Sequence, residues 1–123
     1  MLTRLKRIRE AYSFICANYC DGDEIILVGF SRGAFTVRSV AGMISQLGLL
    51  TREGIEHFYP IFKDMENWMT AHYEDPFPTL PFSDKPHGPN AAAEYKKRLL
   101  DVRIRCLSCQ GPSLINPAWL HTY

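Results

Sequence analysis

The sequence has no long apolar run, no surplus of either charge, and few cysteines. The longest uninterrupted apolar stretch, Ile25 to Gly29, is strand-sized, far short of the roughly 18 to 20 residues that cross a bilayer. Met1 to Glu10 carries Arg4, Lys6, Arg7 and Arg9 around Leu2, Leu5 and Ile8, so the continuous apolar centre of a secretory signal is missing. No export signal is readable, and location stays open with the cytoplasm as default. Lys and Arg number 14 against 13 Asp and Glu, a formal charge of +1. That balance gives no reason to expect nucleic acid as a partner. Four cysteines in 123 residues, with 46% hydrophobic content, do not make a disulfide-built scaffold. Cys106 and Cys109 have the C-x-x-C spacing, and Cys16 and Cys20 stand four apart on an expected helix. They could supply a four-thiolate zinc site or serve as packing and free thiols. We expect no cofactor and no metal.

What is present suits one globular domain able to bury a core. Leu5, Ile8, Tyr12, Ile15, Cys16 and Tyr19 recur at spacings of three and four, which predicts an amphipathic helix from Thr3 to Tyr19. Asp21-Gly22-Asp23 breaks it, and Glu24 to Val28 follows as a β-branched run suited to a strand buried on both faces of a parallel sheet. A second helix is expected from Ala34 to Leu47 with Gly48 as its cap. Thr51 is a helix N-cap with Glu53 and Glu56 behind it, Pro60 interrupts, and helical spacing resumes from Ile61 to Tyr73. Five of the eight prolines lie between Glu74 and Pro89, which marks a loop. Asn90 is expected to cap a helix over Ala91 to Leu100, and the period-two alternation of Val102 to Leu107 predicts a second strand. Two strands are fewer than an independent sheet needs, and an unpartnered strand would leave Ile25 to Val28 open to solvent.

The chemistry concentrates in Gly29-x-Ser31-x-Gly33. This is the pattern of a nucleophile elbow, a sharp strand-to-helix turn that holds a serine hydroxyl exposed on a strained backbone. Side chains at Gly29 and Gly33 are expected to collide as the chain reverses, leaving room only for hydrogen. At the helix start the backbone N–H of Arg32 would donate to an oxyanion. Chance matches to the pattern in a chain of this composition run at roughly 3%, and the flanking strand and helix readings lower that further. A phosphate-binding P-loop would need Gly-Lys-Ser/Thr, but Ala34 follows Gly33.

The stretch Gly22-Asp-Glu-Ile-Ile-Leu-Val-Gly-Phe-Ser-Arg-Gly-Ala-Phe-Thr-Val-Arg38, followed by Gly48-Leu49-Leu50, resembles the uncharacterised α/β-hydrolase family that includes the catalytic domain of type VI secretion phospholipase effectors. The Gly-Phe-Ser-Arg-Gly-Ala core is more particular than the generic motif. The resemblance implies a partial α/β-hydrolase over residues 1–109: the central part of a mostly parallel sheet with flanking helices, the elbow at 29–33, a helical insertion at about 51–100, and a divergent tail at 110–123. It also implies a serine nucleophile assisted by an acid and a histidine. Ser31 matches the nucleophile, and Arg32 matches the residue whose N–H lines the oxyanion hole.

The family's opening Asp-Gly-Thr-like turn, its Trp-Asp-Thr-Val-Gly-like acid and its His-x-Asp-Val-Gly-Gly-like segment have no counterpart in these residues. After the second strand the chain reads Ser108-Cys109-Gln110-Gly111-Pro112-Ser113. Asp64, Asp75, Asp84 and Asp101 lie between Ser31 and His121, the one histidine beyond that strand. His121 is therefore the candidate base. His57, His72 and His87 have no partner spacing. Arg32 and Arg38 could hold a phospholipid head group, or Arg38 a salt bridge alone.

Three readings follow. The first is a serine ester hydrolase of lipase, phospholipase or esterase type, acting on an ester or phospholipid through an acyl-enzyme and impaired as an isolated chain. The second is a non-catalytic module that binds a protein partner through the aromatic residues Trp68, Phe77 and Phe82. The third is a gene product cut or mis-spliced near Cys109.

Overall fold

The computed structural model describes residues 2–106 and 121–122. Among them, five helices run in the order α1 (Leu2–Asn18), α2 (Arg32–Leu47), α3 (Arg52–Glu56), α4 (Phe58–Asn67) and α5 (Ala91–Asp101). Two strands of two residues each, β1 (Val28–Gly29) and β2 (His121–Thr122), pair in parallel, with Val28 opposite His121 and Gly29 opposite Thr122.

This overturns the expected α/β class. The described residues are 56% helix and 4% strand, and one short parallel pair is not the centre of a parallel sheet with helices on its faces. The two runs read as strands show why. From Glu24 to Leu27 the chain has no strand pairing among the described residues, and while Ile25 turns inward, Ile26 and Val28 stand 64% and 60% exposed. A strand buried on both faces needs a neighbour on each edge, and among the described residues β1 pairs with β2 alone. Val102 and Arg103 form a turn beyond α5, with Arg103 at φ 61. Beyond that turn, the pairing among the described residues is one antiparallel bridge between Leu50 and Arg105, held by Thr51 N–H to Ile104 O at 2.9 Å and Cys106 N–H to Leu49 O at 2.8 Å. Leu107 lies outside the described residues.

The helices follow the apolar spacing closely. Ile8 and Tyr12 of α1, Val40, Met43, Ile44 and Leu47 of α2, Phe58 and Ile61 of α4, and Tyr95 and Leu99 of α5 are closed to solvent and form one core with Leu49 and Leu50. Each such side chain contributes about 1.5–3 kcal/mol by leaving water. Phe58 sits at the aromatic centre, stacked on Phe62 at 5.7 Å and tilted against Tyr12 at 6.2 Å. Gly48 ends α2 at φ 78, where its N–H still reaches Ile44 O at 2.9 Å; a side chain there would be strained. Thr51 caps α3 by accepting the Gly54 N–H at 3.1 Å.

Two helical pieces follow Thr51, α3 and α4, with the break at His57, but three local expectations fail. Pro60 does not interrupt a helix, because it lies in the first turn of α4, where a missing N–H costs nothing; α4 closes at Asn67, short of Tyr73. Asn90 makes no side-chain cap for α5. The Ala91 N–H instead reaches Gly88 O at 3.1 Å.

Candidate functional site

The junction between β1 and α2 is short and tightly folded. Ser31 occupies φ 56, ψ −116 directly before α2, a region that residues with a side chain seldom adopt. It is exposed, and no described group hydrogen-bonds its hydroxyl. The turn closes through Gly33 N–H to Phe30 O at 2.9 Å and Ala34 N–H to Ser31 O at 3.1 Å. Arg32 opens α2, so inside the helix its N–H has no carbonyl four residues back. It remains a donor at the positive end of the helix dipole.

The two glycines of the motif differ. A Cβ on Gly29 would overlap the Gly33 carbonyl oxygen and come within 2.7 Å of Val37 Cγ2. Gly29 is thus where β1 passes closest to α2. At Gly33, by contrast, an added Cβ meets nothing within 4 Å. The expected mutual collision is therefore one-sided, because Gly33 turns its open face outward from the helix.

His121 enters through its backbone alone. As part of β2 it pairs with Val28, three residues before Ser31; its side chain lies outside the described residues. His57 joins α3 to α4, His72 stands in a turn at φ 58, and His87 is in the proline-rich loop. None is hydrogen-bonded to Ser31, and neither are Asp64, Asp75, Asp84 and Asp101.

The other residues of interest divide between core and surface. Asp64 is buried and bonded to Lys85 and Tyr95. Trp68 and Phe82 are buried, both packed on the Tyr95 ring at 5.7 and 4.9 Å, and Phe77 is half-buried. Trp68 and Phe82 thus fill the interior rather than present a surface. Cys16 accepts the Leu50 N–H at 3.4 Å, and Cys20 is exposed. Among the described residues, no group of three or more His, Cys, Asp or Glu side chains is placed to hold a metal. Cys109, half of the C-x-x-C pair, lies outside them.

Sequence reasoning named Arg32 and Arg38 but missed the exposed rings near Ser31 in the chain. Phe30 is 75% exposed and Phe35 47%, and the Arg4 guanidinium of α1 lies 5.3 Å from the centre of the Phe35 ring. The spacing of Arg32, Phe35 and Arg38 by three was the available signal, since it sets them on one helix face. Among the described residues, no helix is long and apolar enough to cross a membrane.

The chain is 42% identical over 62 residues to the Saccharomyces cerevisiae protein called "Uncharacterized protein YEL023C". That match takes in 50% of this chain and 9% of the yeast protein, so the chain spans a small part of that relative's length. No solved structure matches it. Residues 3–109 match the family described as "T6SS, Phospholipase effector Tle1-like, catalytic domain". With most of its length matched, the chain belongs to the family of Tle1-like type VI secretion phospholipase effector catalytic domains.

Proposed function

We propose that this chain carries the nucleophile of a phospholipase- or lipase-type serine hydrolase, with Ser31 attacking the carbonyl carbon of an ester. The observation that carries this reading is the exposed Ser31 side chain on a left-handed backbone at the start of α2. A hydroxyl so placed has the helix dipole behind it and a free Arg32 N–H beside it, and both favour the negative charge that develops on the carbonyl oxygen. The family match supports the ester class.

In the proposed reaction His121 takes the proton from Ser31 Oγ as the Oγ–C bond forms. The proton passes to the leaving alcohol as the ester C–O bond breaks, leaving an acyl-enzyme. Water, deprotonated by the same base, then releases the carboxylic acid and restores Ser31. The parallel pairing of His121 with Val28 supports this choice of base, because it sets the histidine's strand beside the one that leads into Ser31.

The alternative of a non-catalytic module built on Trp68, Phe77 and Phe82 has less support, since Trp68 and Phe82 are buried on Tyr95. Hydrolysis of p-nitrophenyl esters by the full chain, with Ser31→Ala as control, is the test. We expect turnover and fluorophosphonate labelling in the parent and neither in the variant. Equal rates in the two would reject Ser31 as the nucleophile.

A further inference from the structure

In the chain beside Ser31, exposed aromatic rings alternate with exposed arginines, and none of those arginines is ion-paired with a described acid. Arg32, Phe35 and Arg38 follow one another at spacings of three along α2, so they share a face, and both arginines are exposed. From α1, Arg4 places its guanidinium 5.3 Å from the centre of the Phe35 ring. Phe30, just before Ser31, is 75% exposed. Neither Leu2 to Arg9 nor Ile25 to Leu50 contains an Asp or Glu, and none of the three arginines has an acidic partner among the described residues.

Arg4 against the Phe35 ring and Arg32 and Arg38 at three residues to either side of Phe35 on α2 are like charges that an anion would join, and the exposed Phe30 and Phe35 rings favour an apolar medium. A surface of anionic phospholipid meets both demands. Phosphates accept from the arginines, and aromatic rings settle at the level between head group and acyl chain. We propose that Arg4, Arg32, Arg38, Phe30 and Phe35 form the face by which this chain docks on an anionic phospholipid bilayer. The inference rests on the assignment of Ser31 as nucleophile only for its purpose: docking there would hold the serine at the depth of glycerolipid ester bonds. Docking itself does not need the reaction.

The experiment uses the full chain carrying Ser31→Ala, so that lipid is not consumed. It is sedimented with vesicles of phosphatidylcholine alone and with vesicles containing roughly 30 mol% phosphatidylglycerol. We expect binding to the anionic vesicles that weakens with salt, and little to the neutral ones. Arg4→Gln, Arg32→Gln and Arg38→Gln should each lower partitioning about fivefold, and Phe35→Ser by about fivefold or more. Lys97→Gln, an exposed change on α5 beside Phe82, should leave it unchanged, and circular dichroism checks that each variant is folded. Equal partitioning into both vesicle types, or partitioning indifferent to the three arginines in folded variants, overturns the proposal. So does a dimer in sedimentation velocity that Phe35→Ser dissolves, which would give the face to a second copy. Ester turnover without vesicle binding would reject the docking face and spare the nucleophile; vesicle binding without turnover in the parent would do the reverse.

Discussion

Lys85 and Asp64 form an ion pair in the interior, with Nζ to Oδ1 at 3.0 Å and side chains only 6% and 5% exposed. Lys85 comes from the proline-rich loop and Asp64 from α4. The same ammonium donates to Asp75 Oδ2 at 2.7 Å and to the Phe77 carbonyl oxygen at 2.6 Å, and Tyr95 of α5 donates to the second oxygen of Asp64 at 2.5 Å. All three Lys85 protons are used, so this one side chain ties the loop to itself and to α4, and Asp64 carries the link on to Tyr95 of α5. Lys85→Met would keep the apolar stem and leave the buried Asp64 carboxylate without its cation, while Asp75, 20% exposed, also loses its own. We expect a loss of about 3–5 kcal/mol, the cost typical of breaking a buried pair from one side, read from urea unfolding.

The two carboxylates of this cluster respond to acid in opposite senses. Burial raises Asp64 above the ordinary 3.8, against the opposing hydrogen bonds from Tyr95 and Lys85. Burial also acts to raise Asp75, but the Lys85 bond, the Phe77 N–H and the Lys85 charge outweigh it and hold it below 3.8. A raised carboxyl binds its proton more readily folded than unfolded, so Asp64 adds stability as the pH falls towards 3.8. A lowered one contributes stability above 3.8 that is lost as the pH falls through its folded value. From this cluster we therefore expect no loss of stability on acidification until below about pH 4, then a decline that Asp75→Asn flattens. Thermal melts across that range check it. An earlier decline, abolished by Asp75→Asn, would contradict the assignment.

The helices were legible because their information is local. The three-and-four spacing of Ile8, Tyr12, Val40, Ile44 and Leu47 selects the buried face without reference to any partner, and Thr51 and Gly48 mark helix ends through their own chemistry. The strands were not legible. Glu24 to Val28 has the composition of a central strand, but composition cannot supply neighbours, and among the described residues most of the run has no strand partner, with Ile26 facing solvent. The Lys85 cluster was hidden for the opposite reason. Its members lie 21 and 31 residues apart in the chain, and nothing in a window around Lys85 announces a buried lysine. At the site, Ser31 and Gly29 could be read from the motif. Phe30 could not, because an apolar residue beside a motif looks like core until its exposure is known, and Phe35 was marked only by its spacing of three from Arg32 and Arg38.

The unequal glycines give a sharp comparison. Gly29→Ala would force its Cβ into the Gly33 carbonyl and Val37, and we expect it to cost about 2–3 kcal/mol as overpacking. Gly33→Ala adds a methyl to open space in the first turn of a helix, where alanine is the better former by up to about 1 kcal/mol. Chemical denaturation of both variants should move in opposite directions. Equal losses would mean that Gly33 is also crowded.

Tyr12 of α1 donates its hydroxyl to the Gly48 carbonyl oxygen at 2.6 Å, and its ring is wholly buried. The bond ties the middle of α1 to the end of α2. Tyr12→Phe removes the donor with little change of shape and leaves a buried carbonyl unsatisfied, for a loss of about 1–3 kcal/mol. Burial also drives the Tyr12 pKa well above its ordinary 10.0, so the hydroxyl should stay protonated in mildly alkaline solution. Tyrosinate absorbance should therefore leave Tyr12 out of the titration until the protein unfolds.

Ser31 separates stability from activity. Its backbone at φ 56, ψ −116 carries a strain of about 1–3 kcal/mol for a residue with a Cβ. Glycine would release that strain, and its extra freedom in the unfolded chain would take back only about 0.4–1 kcal/mol. The balance favours the variant, so Ser31→Gly should unfold about 1 kcal/mol later than the parent, a shift of roughly 3–5 °C. Ser31→Ala keeps the Cβ, and with it the strain, and should melt within about 0.5 kcal/mol of the parent. Both lose the hydroxyl and, on the proposed mechanism, all serine-dependent ester turnover. A gain in stability for glycine alone, joined to loss of turnover in both, would tie the strained backbone to the reacting oxygen. A destabilised Ser31→Gly would show that the turn is held without strain and remove that support for the nucleophile.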